Sequence, residues 1–450
     1  MIRALAVFAG ACLVALLVGH LLRDTPGYMV RNPDGTVTGD ITHYVYWTRL
    51  VTLGGIQSAY GGQWPETYAV YPPVTLYADQ AIGTAYRWLQ DPSFDPAGAQ
   101  DSLWLREAIK FVALSWHLLT AVAICGIVWR ATRKAMLGAV AGALYVLNPA
   151  ALFDVAHWAQ PDGAHSLFSV LAIGLMSLSQ VVAPWAAMAA AALAKPQAWV
   201  ILPVMVLATV RTRGPLGLGR GLIAAGVASL VIVLPFIVSG RLAELLTLPG
   251  TVSSVMPIVS ADAHNFWWLV LEPRGQDPLF VQDSARAVGP LTYRTLAGAL
   301  VGGVLLLSYW LYWTRRTSLA ETAALDVLGW FTFTTQAHEN HLFFALPLLS
   351  LAWPARRWLL VPFGVITLTL LANMWLQDQL LLEAMGIGLA DPPVERLRLA
   401  NAAANVLCYL CWAGVAVLRA PGPAAASATV RYWPRRQADV GLEVAPDRRS

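Results

Sequence analysis

Apolar stretches of about twenty residues recur from one end of this chain to the other, and no other feature restricts its folding as much. As a helix, a stretch of that length crosses roughly 30 Å of hydrocarbon. In lipid each such segment must satisfy its own backbone polar groups, which leaves helices as the spanning elements. Twelve apolar runs fall near 3–22, 109–129, 136–153, 163–180, 184–194, 197–210, 221–239, 293–313, 321–336, 341–353, 358–376 and 401–418. A mean hydropathy of +0.56 over 450 residues places the chain outside the soluble class. The expected fold is an all-α polytopic membrane protein with about twelve transmembrane or partly spanning helices.

The first run, Ala4 to Leu22, reads as a retained signal-anchor helix, because it is long and no small-residue cleavage site precedes Arg23. The runs 184–194 and 197–210 are each too short to span alone and are interrupted at Lys195-Pro196-Gln197. They read as two broken helices meeting near one interface, covered by protein or by a watery cavity.

Basic residues orient the spans through the positive-inside rule. Arg130, Arg133 and Lys134 share one short loop, and Arg211, Arg213 and Arg220 another. Arg315 with Arg316, Arg356 with Arg357, and Arg431, Arg435 and Arg436 form three more clusters. Walking through the twelve segments puts all five on the side of the N-terminus. Both termini are therefore expected in the cytoplasm, with extracytoplasmic segments near 23–108, 240–292 and 377–400. The first of these is rich in Tyr, Trp and Pro, which suits short helices lying in the interface. A single transmembrane domain over 1–419 and a disordered, Arg-rich cytoplasmic tail over 420–450 complete the expected organisation. Topology accounts for the net charge of +4, so no nucleic-acid partner is called for. Lysine is confined to Lys110, Lys134 and Lys195, which points to a GC-rich, prokaryotic genome. The four cysteines, Cys12, Cys125, Cys408 and Cys411, lie in apolar runs with neither metal nor disulfide spacing and read as small core residues.

Charged residues make up only 12% of the chain, so those near the membrane are expensive and informative. The topology gathers several on the extracytoplasmic side. Asp40 and His43 follow the first span. His157, Gln160 and Asp162 sit in the turn between the third and fourth spans, after Asp154, which reads as a turn cap. Lys195 and Gln197 mark the broken-helix tip. Asp262, His264 and Asn265 precede Phe266-Trp267-Trp268, and His338-Glu339-Asn340-His341 forms a turn between two short helices. Each has a plain structural alternative. A lone histidine at a helix end is commonly an interfacial hydrogen-bonding group. Gly39-Asp40 before an apolar run is also an N-cap signal, compatible with catalysis. His338 and His341 have no third strong ligand beside them, so no metal is assigned, although a divalent ion stays possible. Lys195 within apolar helix needs an anionic partner, and a phosphate is one candidate. Five distant segments thus deliver ionisable groups to one membrane face. That set suits deprotonation of a hydroxyl and stabilisation of a phosphate leaving group, with a lipid-linked phosphate as donor. No Gly-rich strand-to-helix turn for a nucleotide-sugar is present.

In order along the chain these residues resemble the GT-C superfamily of polytopic glycosyltransferases, nearest to dolichyl-phosphate-glucose glucosyltransferases and their prokaryotic relatives. Gly39-Asp40 resembles the first-loop acidic motif, and Tyr71-Pro72-Pro73-Val74-Thr75-Leu76-Tyr77 a Tyr-Pro-Pro-Leu-Thr-Ala-Tyr stretch. His157 to Gln160 resembles a His-x-x-Gln turn, with Asp162 also similar to bacterial mannosyltransferases. Lys195-Pro196-Gln197 resembles a Lys-Gln element with an inserted proline, and Asn265-Phe266-Trp267 an Asn-Phe-Trp element. His338-Glu339-Asn340 resembles His-Glu-Lys but departs at its third residue. The resemblance implies a GT-C fold and inverting transfer of a hexose, mannose or glucose, from a polyprenyl-phosphate donor. The acceptor would be a hydroxyl on a lipid-linked glycan, cell-envelope glycoconjugate or protein. It makes Asp40 the general base and gives the donor phosphate to Lys195 and His338. His43, Tyr71, His157, Gln160, Asp162, Gln197, His264, Asn265, Glu339 and His341 would line the substrate site, and no cofactor is implied. A transporter or flippase of a lipid-linked sugar is the competing class, since it shares the span count and the broken helices.

Overall fold

The computed structural model describes residues 1–31, 36–63 and 66–421. The expected tail, 420–450, lies outside the described residues from position 422 onward. The chain opens with α1 (Ile2–Leu21), followed by a hairpin of β1 (Met29–Arg31) and β2 (Val37–Gly39), then α2 (Asp40–Gly54), α3 (Pro73–Leu89) and α4 (Pro96–Asp101). The long α5 (Leu103–Thr132) turns into α6 (Ala135–Val146) and α7 (Pro149–Leu152), which runs on through a π-helical turn, Phe153–His157. Next come α8 (Asp162–Ser177), α9 (Val182–Ala192), a 3-10 turn (Pro196–Ile201), α10 (Leu202–Val238) and α11 (Leu242–Val255). The segment after α11 holds β3 (Ser260–Ala261), α12 (Phe266–Leu271), β4 (Arg286–Val288) and β5 (Leu291–Thr292). The remainder is α13 (Tyr293–Trp313), α14 (Leu319–Phe333), β6 (Ala337–His338), α15 (Ala345–Ala352), α16 (Leu360–Trp375), α17 (Gln379–Ala384) and α18 (Pro392–Leu418).

Every expected apolar run has a helical counterpart, and the fold is that of an all-α polytopic membrane protein. Among the described residues six helical runs are long and apolar enough to cross alone, and a seventh forms if Ala135–Val146 and Pro149–His157, bent by 50° at their break, count as one. The other expected spans are shorter: α8, α9, α14 and α15 have 16, 11, 15 and 8 residues. The two runs expected at 197–210 and 221–239 are the arms of α10, separated at Gly214, whose φ of 69° and ψ of −174° break the helix before Pro215. Helix ends follow local chemistry. Ser102 caps α5 through Leu105 N, and Ser318 with Glu321 forms a capping box on α14.

Four of the five basic clusters gather at one end of the bundle, and the fifth, Arg431, Arg435 and Arg436, lies outside the described residues. Arg211 donates to Tyr312 O and Arg213 to Ser179 O, while Arg316 donates to Val417 O and Arg419 O. Arg356 donates to Arg316 O at 2.6 Å and to the buried Glu321. A cavity of about 80 Å³ lined by Thr132, Ser177, Ser318 and Pro354 places the α5–α6 turn at that end too. α14 starts there and ends at Thr334, so the loops around 334–341 lie at the opposite end.

At that opposite end α2, α3 and the start of α5 enclose a hydrophobic cluster that includes Ile41, Tyr44, Trp47, Leu76, Tyr86 and Phe94. This is the set of short helices expected in the first loop. The β1–β2 hairpin pairs Met29 with Gly39, and a Cβ on Gly39 would stand 1.9 Å from Tyr28 O and 2.8 Å from Met29 Sδ. Gly39→Ala is therefore expected to lower stability by about 1–3 kcal/mol through overpacking. The check is thermal unfolding in detergent, where unchanged melting refutes the packing argument.

Candidate functional site

Asp40 is the first residue of α2, and the N-cap position belongs to Gly39 in extended conformation, φ −174° and ψ −174°. The capping alternative is thereby corrected. The carboxylate sits one position inside the helix, where the N-terminal dipole favours it, and is free to turn to another segment. It turns to Gln160, whose Nε2 donates to Asp40 Oδ2. The ionised Asp40 carboxylate only accepts, and this orients the Gln160 amide. Its oxygen accepts from Tyr44 OH at 2.8 Å and from Tyr71 OH at 3.2 Å, which leaves the NH₂ facing Asp40. Oδ1 of Asp40 has no hydrogen-bond partner among the described residues. Burial raises the Asp40 pKa to about 6, against the opposing pull of Lys195 and the Gln160 hydrogen bond.

A second tier lies behind the first. Lys195, placed in the turn between α9 and the 3-10 segment by Pro196, donates to both Asp162 oxygens at 2.8 Å and stands 5.5 Å from the centre of the Tyr71 ring. Both members of this ion pair are buried. The third Lys195 N–H has no partner among the described residues. Asn340 Nδ2 donates to Asp162 Oδ2 at 3.1 Å and to Asp154 Oδ1 at 3.2 Å, joining the 336–341 turn to the 153–162 turn. The turn-cap reading of Asp154 is corrected as well, since its carboxylate belongs to the π turn and reaches across 186 residues. His165, one turn into α8, faces Asp162 at 3.8 Å and the Phe344 ring at 5.1 Å.

The 336–341 turn is set by a two-residue parallel pairing of β6 with β3. His338 N donates to His341 Nδ1 at 3.1 Å, so the His341 proton sits on Nε2, 2.6 Å from the Gln197 side-chain amide. The amide oxygen of Gln197 is the acceptor that suits it. Burial holds both imidazoles neutral, with His338 lowered to about 4 and His341 also lowered from its ordinary value. Glu339 is buried within electrostatic reach of Asp40, and burial raises its pKa.

The structure thus brings Asp40, Tyr71, Gln160, Asp162 and Lys195 into one connected group, with Gln197, His338, Glu339 and His341 beside it. His43 packs against Trp47, ring centres 6.1 Å apart. Three of the expected substrate-site residues hydrogen-bond to scaffold groups. His157 has both ring nitrogens engaged, Nδ1 with Thr25 Oγ1 at 2.9 Å and Nε2 with Asp378 at 3.0 Å. His264 is buried between Gln377 and Asn401, at 3.0 and 3.1 Å. Asn265 caps α12 at Trp267 N and donates to Phe331 O at 3.2 Å. Sequence reasoning left Tyr44, His165 and Asp378 unassigned. His165 carried a usable signal, an imidazole inside an apolar helix one turn after Asp162. Among the described residues no group of three or more His, Cys, Asp or Glu side chains is placed to hold a metal ion.

No protein-family model and no curated protein matches the chain. Among solved structures it is similar to ArnT from Cupriavidus metallidurans bound to undecaprenyl phosphate, at 16% identity and a TM-score of 0.49, over 94% of this chain and 77% of that one. The apo state of ArnT from the same organism gives 14% identity and a TM-score of 0.48 over the same shares.

Proposed function

We propose that this chain is an integral-membrane glycosyltransferase that moves a hexose from a polyprenyl-phosphate donor to an acceptor hydroxyl, with inversion, at the extracytoplasmic face. The observation that carries the reading is the Asp40 carboxylate. One oxygen accepts from the Gln160 amide, the other has no partner among the described residues, and burial raises the group to a pKa suited to a base near neutral pH. Asp40 Oδ1 takes the proton as the acceptor oxygen attacks the anomeric carbon, and the sugar–phosphate bond breaks in the same displacement. In this reading the unspent N–H of Lys195 and the His338 ring meet the departing phosphate. The site's end of the bundle is opposite the arginines, and the positive-inside rule makes that end extracytoplasmic with both termini in the cytoplasm. Motif order favours the dolichyl-phosphate-glucose group and its prokaryotic relatives as closest kin, with mannose or glucose as the sugar.

The test is release of polyprenyl phosphate by the purified protein, given a polyprenyl-phosphate hexose and candidate acceptors. Turnover supports the reading, and sugar movement across vesicles without transfer supports the transporter instead. The pH profile is a second expected result. Asp40 must be ionised to act, so kcat/KM falls as pH drops through about 6, by about tenfold per unit below it. A flat profile from pH 7 down to pH 5 contradicts the assignment.

A further inference from the structure

Asp378 lies in the segment after α16, outside every motif that suggested a function, yet it is 1% exposed and all its hydrogen bonds are specific. Its Oδ2 accepts from Trp158 Nε1 at 2.8 Å and from His157 Nε2 at 3.0 Å, while Oδ1 caps α17 at Leu381 N, 3.1 Å away. On its other side His157 Nδ1 lies 2.9 Å from the Thr25 hydroxyl, whose own proton goes to Leu22 O at 2.7 Å. Thr25 is anchored in turn by the buried Lys110, which donates to its hydroxyl at 2.7 Å and its carbonyl at 2.6 Å.

Two routes lead from this knot to Asp40. The first runs through the π turn, since His157 and Trp158 are the residues from which the chain reaches Gln160, the clamp on Asp40. The second runs through the hairpin. Tyr28 packs on Trp158 with ring centres 4.6 Å apart, and α17 holds β1, with Arg31 N donating to Gln379 Oε1 at 3.1 Å and the Arg31 guanidinium 3.3 Å from Glu383. The hairpin ends at Gly39, and Asp40 follows. Asp378 is the residue common to both routes.

We propose that Asp378 is a positioning residue for Asp40, acting through the His157–Trp158 turn to seat the Gln160 amide on the Asp40 carboxylate. The proposal rests on the reading of Asp40 as the base, but its test does not need turnover. The charged and titratable groups that face Asp40 are Lys195, Asp162, Glu339, Tyr28, Tyr44 and Tyr71. Asp378 hydrogen-bonds to none of them, and of the two routes only the first ends on a hydrogen bond to the Asp40 carboxylate, so a change at Asp378 should reach its protonation through Gln160. Gln160 donates to the ionised carboxylate and lowers its pKa, so losing that bond raises it.

The experiment is carbodiimide labelling of Asp40 in the detergent-purified full chain, followed by peptide mass spectrometry across pH. The labelling midpoint reports protonation of Asp40. Gln160→Ala is expected to raise the midpoint by about half a unit or more. Asp378→Asn should raise it in the same direction, and add nothing in the Gln160→Ala background. His157→Gln breaks the same link from its other side and should behave like Asp378→Asn, so it decides the matter if Asp378→Asn does not fold. A wild-type midpoint in a folded variant of either residue overturns the proposal, as does a shift that persists without Gln160. If the shifts occur but the wild type turns over no polyprenyl-phosphate hexose, it is the glycosyltransferase reading that fails, and the positioning of Asp40 stands.

Discussion

Asp40→Asn is expected to lower turnover of a polyprenyl-phosphate hexose by about 10²–10⁴-fold, the usual contribution of a positioned general base. The replacement is nearly isosteric. An asparagine carbonyl can still accept the Gln160 amide, so the Tyr44–Tyr71–Gln160 arrangement has no reason to collapse. What disappears is the oxygen able to take a proton. The fold should not suffer, because the native carboxylate is already penalised by burial, and a neutral amide carries less of that cost. The loss should therefore fall on kcat with KM little changed, and thermal unfolding should stay close to that of the wild type. Release of polyprenyl phosphate and a melting curve, measured on the same preparation, check both parts. A variant that turns over as fast as the wild type removes Asp40 from the mechanism, whatever its surroundings.

The features that could be read from the sequence were the local ones. A twenty-residue apolar run reports its own helix, and Lys195-Pro196-Gln197 reports its own break, because Pro196 cannot continue a helix from α9. The arginine clusters gave the order of crossings, and with it the expectation that Asp40, the 157–162 turn, Lys195 and the 338–341 turn share one end. The structure joins these segments by hydrogen bonds. What the sequence did not show was which partner each polar group takes. Asn340 stood out only as a departure from a motif, whereas in the fold it bridges two carboxylates 178 and 186 residues away. His157 looked like a substrate ligand because its partners, Thr25 and Asp378, are 132 and 221 residues distant. Such pairings depend on how helices of unequal length pack, and no local pattern encodes that. The capping readings of Asp40 and Asp154 failed for a related reason. A carboxylate at a turn has a local use by default, and only the packing shows that a distant amide has claimed it.

The ion pair behind the base predicts the largest loss of stability. Asp162→Ala leaves the buried Lys195 ammonium without the carboxylate it donates to, and removal of one partner from a buried pair costs about 3–5 kcal/mol. Asn340 loses an acceptor in the same change and keeps only Asp154. The cost belongs mainly to the stranded charge rather than to the attraction lost, and this distinction can be tested. Adding Lys195→Met removes the stranded ammonium while keeping most of its apolar stem. The double variant should therefore melt well above Asp162→Ala alone, although it lacks both partners. The effects on Asp40 then separate by sign. Asp162 raises its pKa and Lys195 lowers it, so Lys195→Met alone should move the acid limb of kcat/KM to higher pH. Removing both should bring the limb part of the way back. If Asp162→Ala melts like the wild type, the pair is not buried as described. If the double variant loses as much as the two single changes added together, the two side chains act independently, and the ion pair is not what holds this tier in place.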